Sequence, residues 1–403
     1  MRRPWRGSCC KRLLSWVIED MQADFVEEKN NAVQGQDGAA LKRGLLKKLP
    51  WLLLLPLGLL LPALAEESPW LVESIYSRGV YPHISRVMGW VSGLAGFSVA
   101  EFFIIGFVLT VAGLLIYNTA RLLMRRISPL RFLSFLLSLL ILAGVMLNLF
   151  YLCWGFNYSR PTLYQLMGLE VKERADEELH ALCLSLAAEA NRLCAAVPRD
   201  GAGVFEAEDY RRYFELIPHA YGALAEKHGL FSGEIYPAKG VLASEAMSWA
   251  GISGIFIPYT AEANVNVHQP SLLLLSSAAH ENAHALGFAK EDEANFIAYL
   301  ACAASEEPAI AYSGVMLALI HCGNKLYDSD PEKYVDVYRR YDQALLKDIR
   351  DYNAYWKAYE GQVEEAFDAV NDGYLKFNHQ EDGVKSYGMM VDLMLAYAAK
   401  YGI

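Results

Sequence analysis

Three long apolar runs in the first 154 residues place the strongest constraint on how this chain of 403 residues can fold. They cover about 49–65, 97–120 and 132–154, and helices of roughly 17–25 apolar residues can cross about 30 Å of hydrocarbon. We therefore expect a transmembrane region over 45–156 with three spans, and a lipid bilayer as a partner. Residues 1–44, which precede this region, are polar and mixed in charge, and we expect them to be disordered.

The distribution of positive charge predicts the orientation of these spans. Four arginines lie in the short stretch 121–131, whereas the stretch 66–96, interpreted as a loop, has only Arg78 and Arg86. Loops rich in arginine and lysine stay in the cytoplasm. We therefore expect 1–44 and 121–131 inside and residues 157–403 outside, in a multi-pass protein of the plasma membrane.

Residues 157–403 have the composition of a water-soluble acidic domain. Their net charge is −16, against +6 for residues 1–154. Because binding to a phosphate backbone requires clustered basic residues, nucleic acid is not expected as a partner. Periodicity predicts two short strands, at 255–259 and 263–267, and a mainly α fold with a small β-sheet. The predicted helices are 171–197, 209–228, 271–286, 291–305, 311–327, 331–369 and 384–401.

The seven cysteines form no CxxC motif, so neither a thiolate zinc site nor a redox motif is predicted. Small buried side chains are the simpler interpretation. Cys183 and Cys194 would be available for one disulfide if the domain lies outside the cytoplasm.

The segment His280-Glu281-Asn282-Ala283-His284 carries the clearest chemical signal. Histidines four positions apart lie on the same face of a helix and can bind one metal ion. Glu281 is turned about 100° from His280, where a carboxylate can take a proton from a water activated by the metal. The motif predicts a Zn²⁺ site with His280 and His284 as ligands and Glu281 as general base.

A third ligand is expected shortly after the second histidine. Gly287 can end the helix, and Glu291 and Glu293 follow in the first turn of the next one. We favour Glu291, because it lies four residues before Asn295, which could then hydrogen-bond a metal-binding histidine from the same face. Glu293 points about 200° away from Glu291 and is kept as the alternate ligand.

Taken together, the HExxH motif, Gly287-Phe288 and the Glu291-x-Glu293-Ala-Asn295-Phe296 element resemble zincin metallopeptidases of the gluzincin kind. The gap between the second histidine and the acidic element is shorter than in standard gluzincins, and Asn295 stands where aspartate is commoner. More narrowly, the chain is similar to a family of Gram-positive bacterial membrane proteins defined only as a domain of unknown function. The similarity covers nearly everything after about residue 45, including the stretches 251–266 and 383–388.

This resemblance implies a zincin-like α+β catalytic domain over 157–403. It implies that the stretch 255–267 binds an extended substrate by strand addition. It also implies a tyrosine or histidine that stabilises the oxyanion, for which Tyr387 and His379 are candidates, with Tyr387 preferred as the catalytic residue.

The sequence thus predicts a membrane-anchored zinc metallopeptidase that acts on protein or peptide substrates. Two alternatives stay open. A non-catalytic membrane sensor that binds zinc would have no use for a base at Glu281. An intramembrane metalloprotease would carry its motif inside a span, but 271–287 is only 17 residues long and contains several polar side chains.

Overall fold

The computed structural model of the chain describes residues 36–378 and 388–402. It divides into two compact units. The first unit comprises the described residues up to Leu64 together with Ile104–Leu152, and the second comprises Ala65–Phe103 together with the chain from Cys153 onwards. The predicted fold class, mainly α with a small β-sheet, is confirmed at that level. The domain boundaries at 44 and 156 stay predictions.

The helices in chain order are α1 Gln36–Lys48, α2 Leu54–Glu66, α3 Pro69–Leu71, α4 Tyr81–Gly93, α5 Val99–Leu123, α6 Pro129–Cys153, α7 Leu163–Met167, α8 Asp176–Cys194, α9 Tyr210–Lys227, α10 Ser244–Trp249, α11 Ser271–Ala285, α12 Glu291–Ala303, α13 Pro308–Ser329, α14 Pro331–Tyr338, α15 Gln343–Tyr359, α16 Gln362–Phe377 and α17 Gly388–Tyr401. The strands are β1 Lys239–Gly240, β2 Gly254–Ile257 and β3 Glu262–Val265. A π-helical stretch, Val72–Val80, joins α3 to α4, so that 69–93 is continuously helical.

Three helical stretches of the described chain are long and apolar enough to cross a membrane, namely Ala40–Glu66, Val99–Leu123 and Pro129–Cys153. They coincide with the three predicted runs and support a membrane protein. Within the first unit, α2 and α6 approach closely at small residues: a Cβ added at Gly144 would lie 2.9 Å from the Leu55 backbone nitrogen. Asn148 donates a 2.7 Å hydrogen bond to the Leu54 carbonyl across the same contact. Small residues and amide hydrogen bonds of this kind are typical of packed membrane helices.

The sheet of the second unit has the strand order β1-β3-β2. β1 is parallel to β3, and β2 is antiparallel to it with Ile255 opposite Asn264. β2 therefore forms one edge of the sheet. Both predicted strands are present, and each begins one residue earlier than predicted. The two-residue β1 was not predicted, because it pairs only with a strand that lies far away in the sequence.

The core of the second unit is built around α13, which is buried along nearly its whole length because apolar residues occupy most of its faces. α8, α11 and α12 pack against it. α11 and α12 are also almost fully buried. The predicted metal-binding residues therefore sit on rigid elements of the core.

Two predictions about secondary structure are wrong. The single helix predicted over 331–369 is broken into α14, α15 and the start of α16. At the first break, Asn191 of α8 donates to the Arg340 carbonyl and accepts from the Asp342 amide, so a distant side chain stabilises the turn. The stretch 66–96, interpreted as a loop, contains the helical segment 69–93.

The disulfide considered between Cys183 and Cys194 is not formed. Both cysteines lie on α8, eleven residues apart, and that spacing corresponds to roughly 16 Å of helix rise. Both thiols are free and buried.

Candidate metal centre

α11 places the two motif histidines side by side. The Nε2 atoms of His280 and His284 are 3.0 Å apart, and the ring planes are nearly perpendicular. This is the geometry expected from an i, i+4 pair on one helical face. The two ring nitrogens converge on one point.

The chain returns a third donor to this point by a turn at Gly287. Gly287 has a φ of +83°, and a Cβ there would lie 2.9 Å from Asn157 Oδ1, so both conformation and space require glycine. α12 then begins at Glu291. Its Oε2 lies 3.1 Å from His280 Nε2, and its Oε1 lies 3.6 Å from His284 Nε2.

Hydrogen bonds to the other ring nitrogens determine which nitrogens face the centre. His284 Nδ1 is 2.7 Å from the Phe288 carbonyl oxygen, which can only accept, so Nδ1 carries the hydrogen. His280 Nδ1 is 2.8 Å from Asn295 Oδ1, the contact that the sequence spacing predicted for Asn295. A neutral ring that donates through Nδ1 has its lone pair on Nε2, so both rings are oriented to offer Nε2 to a metal.

The three donor atoms fit a tetrahedral ion. His280, His284 and Glu291 form a cluster whose donor atoms all lie within 4.8 Å of one another. Bonds of about 2.0–2.2 Å in tetrahedral geometry separate zinc ligands by roughly 3.3 Å. The two Nε2 atoms are 3.0 Å apart, and they lie 3.1 and 3.6 Å from the two different oxygens of the Glu291 carboxylate, so the distances scatter around that value.

The charges of the cluster favour a cation. Burial by itself would lower the pKa of His284, but the Glu291 carboxylate outweighs it and raises that pKa to about 9. Burial would likewise raise the pKa of Glu291, and the two histidines instead hold it well below its ordinary value. Glu291 therefore stays ionised and stabilises positive charge at the point where the rings converge.

Glu281 lies next to this cluster but outside it. It is buried, and the edge strand β2 runs directly past its side chain: a Cβ added at Gly254 would lie 2.5 Å from Glu281 Oε1. Burial raises the pKa of Glu281 to about 7, although both histidines and a hydrogen bond from the Phe256 backbone oppose the shift. A carboxyl group with a pKa near neutrality can both accept and return a proton.

Glu293, the alternate ligand, points elsewhere. Its Oε1 accepts a 2.7 Å hydrogen bond from the Leu163 amide at the start of α7. The structure thus brings Glu291, and not Glu293, to the histidines. Glu293 instead satisfies a backbone donor at a helix N-terminus.

Four further side chains bind carbonyl groups at the C-terminal end of α11 or in the turn after it, and one of them is Ser85, whose hydroxyl donates to the Ala285 carbonyl at 3.4 Å. Trp154 Nε1 donates to the His284 carbonyl, and the Tyr81 hydroxyl donates to the Ala285 carbonyl, at 2.9 and 2.7 Å. Arg160 donates to the Gly287 carbonyl at 2.7 Å and stacks over Phe288. These contacts fix the end of α11, and with it His284 and the turn that leads to Glu291.

Two predicted residues, Tyr387 and His379, lie outside the described residues. One neighbour of the centre was missed altogether: His321 of α13, whose pKa is lowered to about 4 by burial and by His280. The available signal was a lone histidine within the apolar stretch Leu319-Ile320-His321-Cys322, which by itself is typical of a core residue.

Comparison with known proteins gives one match. A family model described as a protein of unknown function, DUF3810, matches residues 76–395. Curated proteins and solved structures give no match.

Proposed function

Because the chain belongs to the DUF3810 family, whose description states no activity, we propose its function from the geometry of the metal centre: it is a membrane-anchored, zinc-dependent hydrolase of peptide bonds. One observation carries the proposal. Three donors converge from two buried helices, and a fourth buried group, Glu281, stands beside them without joining them. A purely structural metal site has no use for such a carboxylate, whereas hydrolysis needs a base there.

The residues have separate tasks in this reaction. His280, His284 and Glu291 would hold the zinc ion, which supplies a Lewis acid that acidifies water and polarises a carbonyl group. The Glu281 carboxylate removes a proton from the attacking water and delivers it to the leaving amine. Asn295 and the Phe288 carbonyl keep the histidine rings oriented through their Nδ1 atoms.

The sheet supports a peptide as the substrate class. β2 is an edge strand in the described sheet, and it passes Glu281 at Gly254. An extended peptide that adds to this edge would lie along the strand and bring one of its amide bonds towards Glu281. This arrangement is the one expected of a zincin-like catalytic domain.

The motif helix does not fit an intramembrane protease. α11 has 15 residues and is not among the three helices of the described chain that could cross a membrane. We therefore place the reaction outside the hydrocarbon core.

The test uses the full-length protein in detergent micelles and a library of quenched fluorescent peptides. We expect about one zinc per chain in the wild type and in Glu281→Gln, with hydrolysis in Glu281→Gln reduced by about 10²–10⁴-fold. Glu306→Gln serves as the control and should match the wild type, because Glu306 is an exposed glutamate between α12 and α13. Wild-type protein without bound zinc, or equal hydrolysis in Glu281→Gln and Glu306→Gln, would contradict the proposal.

We also propose that residues 157–403 are extracytoplasmic, on the basis of the arginines in 121–131, and that the membrane is the plasma membrane. Reporter fusions after Ser128 and after Gln165 should give cytoplasmic and extracytoplasmic signals, respectively. A cytoplasmic signal after Gln165 would make the protein an intracellular peptidase.

A further inference from the structure

The helical segment 69–93 has its polar and apolar faces reversed relative to a helix on the surface of a soluble protein. Its buried face consists of polar or small residues, whereas its large apolar side chains point outward, each with more than 40% of its surface exposed. The buried residues recur every three or four positions: Glu73, Ser77, Tyr81, Ser85, Gly89 and Ser92. The exposed ones are Trp70, Leu71, Ile75, Val80, Val87, Trp90, Val91 and Leu94.

Specific contacts fix the polar face towards the interior of the second unit. Glu73 forms a 2.7 Å ion pair with the buried guanidinium of Arg160. Ser77 hydrogen-bonds Asn157, and Tyr81 hydrogen-bonds the Ala285 carbonyl. Rotating the segment to bury its apolar face would break all three contacts, so the exposed apolar face belongs to the folded state.

Chain connectivity indicates what covers that face. The first stretch able to cross a membrane ends at Glu66, and the second begins at Val99. Both ends of the segment are therefore tied to membrane helices on the same side of the bilayer. Trp70 and Trp90 are the residue type that accumulates at the boundary between headgroups and hydrocarbon. Arg78 and Arg86 are exposed on the same segment but pair with Glu73 and Glu234, so the fit to a membrane interface rests on the tryptophans and the apolar side chains.

We infer that the segment 69–93 is an interfacial membrane helix, whose exposed face lies in the boundary between lipid headgroups and acyl chains. The same helix holds the metal centre, because Tyr81 binds the carbonyl of Ala285, the residue after His284. The centre is then roughly one helix diameter, about 10 Å, from the bilayer surface. This placement, together with the proposed function on which the next step rests, identifies the substrate class: a membrane-anchored polypeptide, cleaved in a segment that lies next to the membrane.

The placement of the helix is tested without reference to activity. The photo-reactive residue p-benzoylphenylalanine replaces Val91 in the full chain, which is reconstituted into vesicles of phosphatidylethanolamine and phosphatidylglycerol. Val363 on α16 provides a matched control, since it is also a valine and is 50% exposed, against 55% for Val91. Mass spectrometry should detect lipid adducts at least about tenfold more abundant at position 91. Equal adducts at the two positions, or adducts at position 91 to protein alone, would overturn the inference.

The substrate class is tested with one peptide library in two forms, free and attached to a lipid through a spacer of about five residues, which reaches roughly 17 Å. In the same vesicles the wild type should hydrolyse the anchored form at least about tenfold faster than the free form, with Glu281→Gln as the background. Equal rates would overturn the substrate class and leave the proposed hydrolase standing. Hydrolysis of neither form would instead contradict the proposed function, while the lipid adducts at position 91 would still decide the placement of the helix.

Discussion

Two helical regions of this protein reverse the usual distribution of side chains, and they do so for different reasons. α11 buries His284 and Glu281 inside the core, whereas the segment 69–93 exposes Trp90 and Val91. In α11 the two buried groups of the centre have partners that compensate for the loss of water: the Phe288 carbonyl for His284 and the Phe256 backbone for Glu281. In 69–93 the exposed apolar side chains are not covered by the described residues of the second unit, and contact with lipid would remove them from water.

The two regions meet at the hydrogen bond from Tyr81 to Ala285. The proposed metal centre and the proposed membrane contact are thus linked by direct side-chain contacts. The comparison of α11 with 69–93 shows that buried polar or exposed apolar side chains can be interpreted only when the groups that contact them are known. The predictions that follow test each region and then the contact between them.

The largest effect is expected where α12 supplies the third donor to α11. Glu291→Ala should weaken zinc binding by more than the roughly ten- to hundredfold typical of losing an indirect partner of the metal, because it removes a converging carboxylate. Glu293→Ala is the matched control from the same helical turn. It should retain zinc but lose about 1–3 kcal/mol of stability, since the Leu163 amide would be left without its acceptor.

Zinc titration and thermal unfolding of both variants give a double readout. Loss of zinc in Glu293→Ala with retention in Glu291→Ala would reverse the assignment. Glu291 would then lie beside the histidines without acting as a metal ligand.

A smaller effect is expected from the edge strand. Gly254→Ala introduces a Cβ that would lie 2.5 Å from Glu281 Oε1, so the carboxylate must move while the three donors stay in place. Displacing a catalytic group by about 1 Å can reduce hydrolysis on the order of a hundredfold, and zinc content should not change. Gly222→Ala on α9 has open space around the new methyl group and is the control. Unchanged hydrolysis in Gly254→Ala would show that Glu281 tolerates displacement and is not the base.

The smallest effect concerns the contact between the two helical regions. Tyr81→Phe removes only the hydroxyl that donates to the Ala285 carbonyl, and should cost about 0.5–1.5 kcal/mol of unfolding free energy. Tyr338→Phe, at an exposed tyrosine on α14, should cost less. Chemical denaturation in detergent measures both. Equal stability of the two variants would mean that Ser85, which also donates to the Ala285 carbonyl, or water satisfies this carbonyl as well as Tyr81 does.

The sequence predicts those features that depend on local spacing. The three apolar runs, the convergence of His280 with His284 and the face shared by Glu291 and Asn295 all follow from helical geometry. The strands at 254–257 and 262–265 follow from short apolar stretches bounded by turn residues. Each of these features involves residues that are close in the chain.

The features that the sequence missed depend on partners far along the chain. The role of Glu293 requires Leu163, and the break after α14 requires Asn191. The sequence predicts a loop at 69–93, because regularly spaced polar residues make the segment too polar for a membrane span. Their significance depends on Arg160 and Ala285. Periodicity carries no information about such pairings.

The contacts at the end of α11 have a consequence for the order of assembly. Tyr81 and Ala285 are 204 positions apart, and Trp154 and His284 are 130 apart. Because closing such long loops is slow compared with forming local helices, the geometry of the centre is completed late in folding. During synthesis, the three apolar helices leave the ribosome before His280 does, so the chain is anchored in its membrane before it can acquire an ion. On the proposed function, metal loading would follow membrane insertion and would take place in the compartment that the orientation of the spans has already determined.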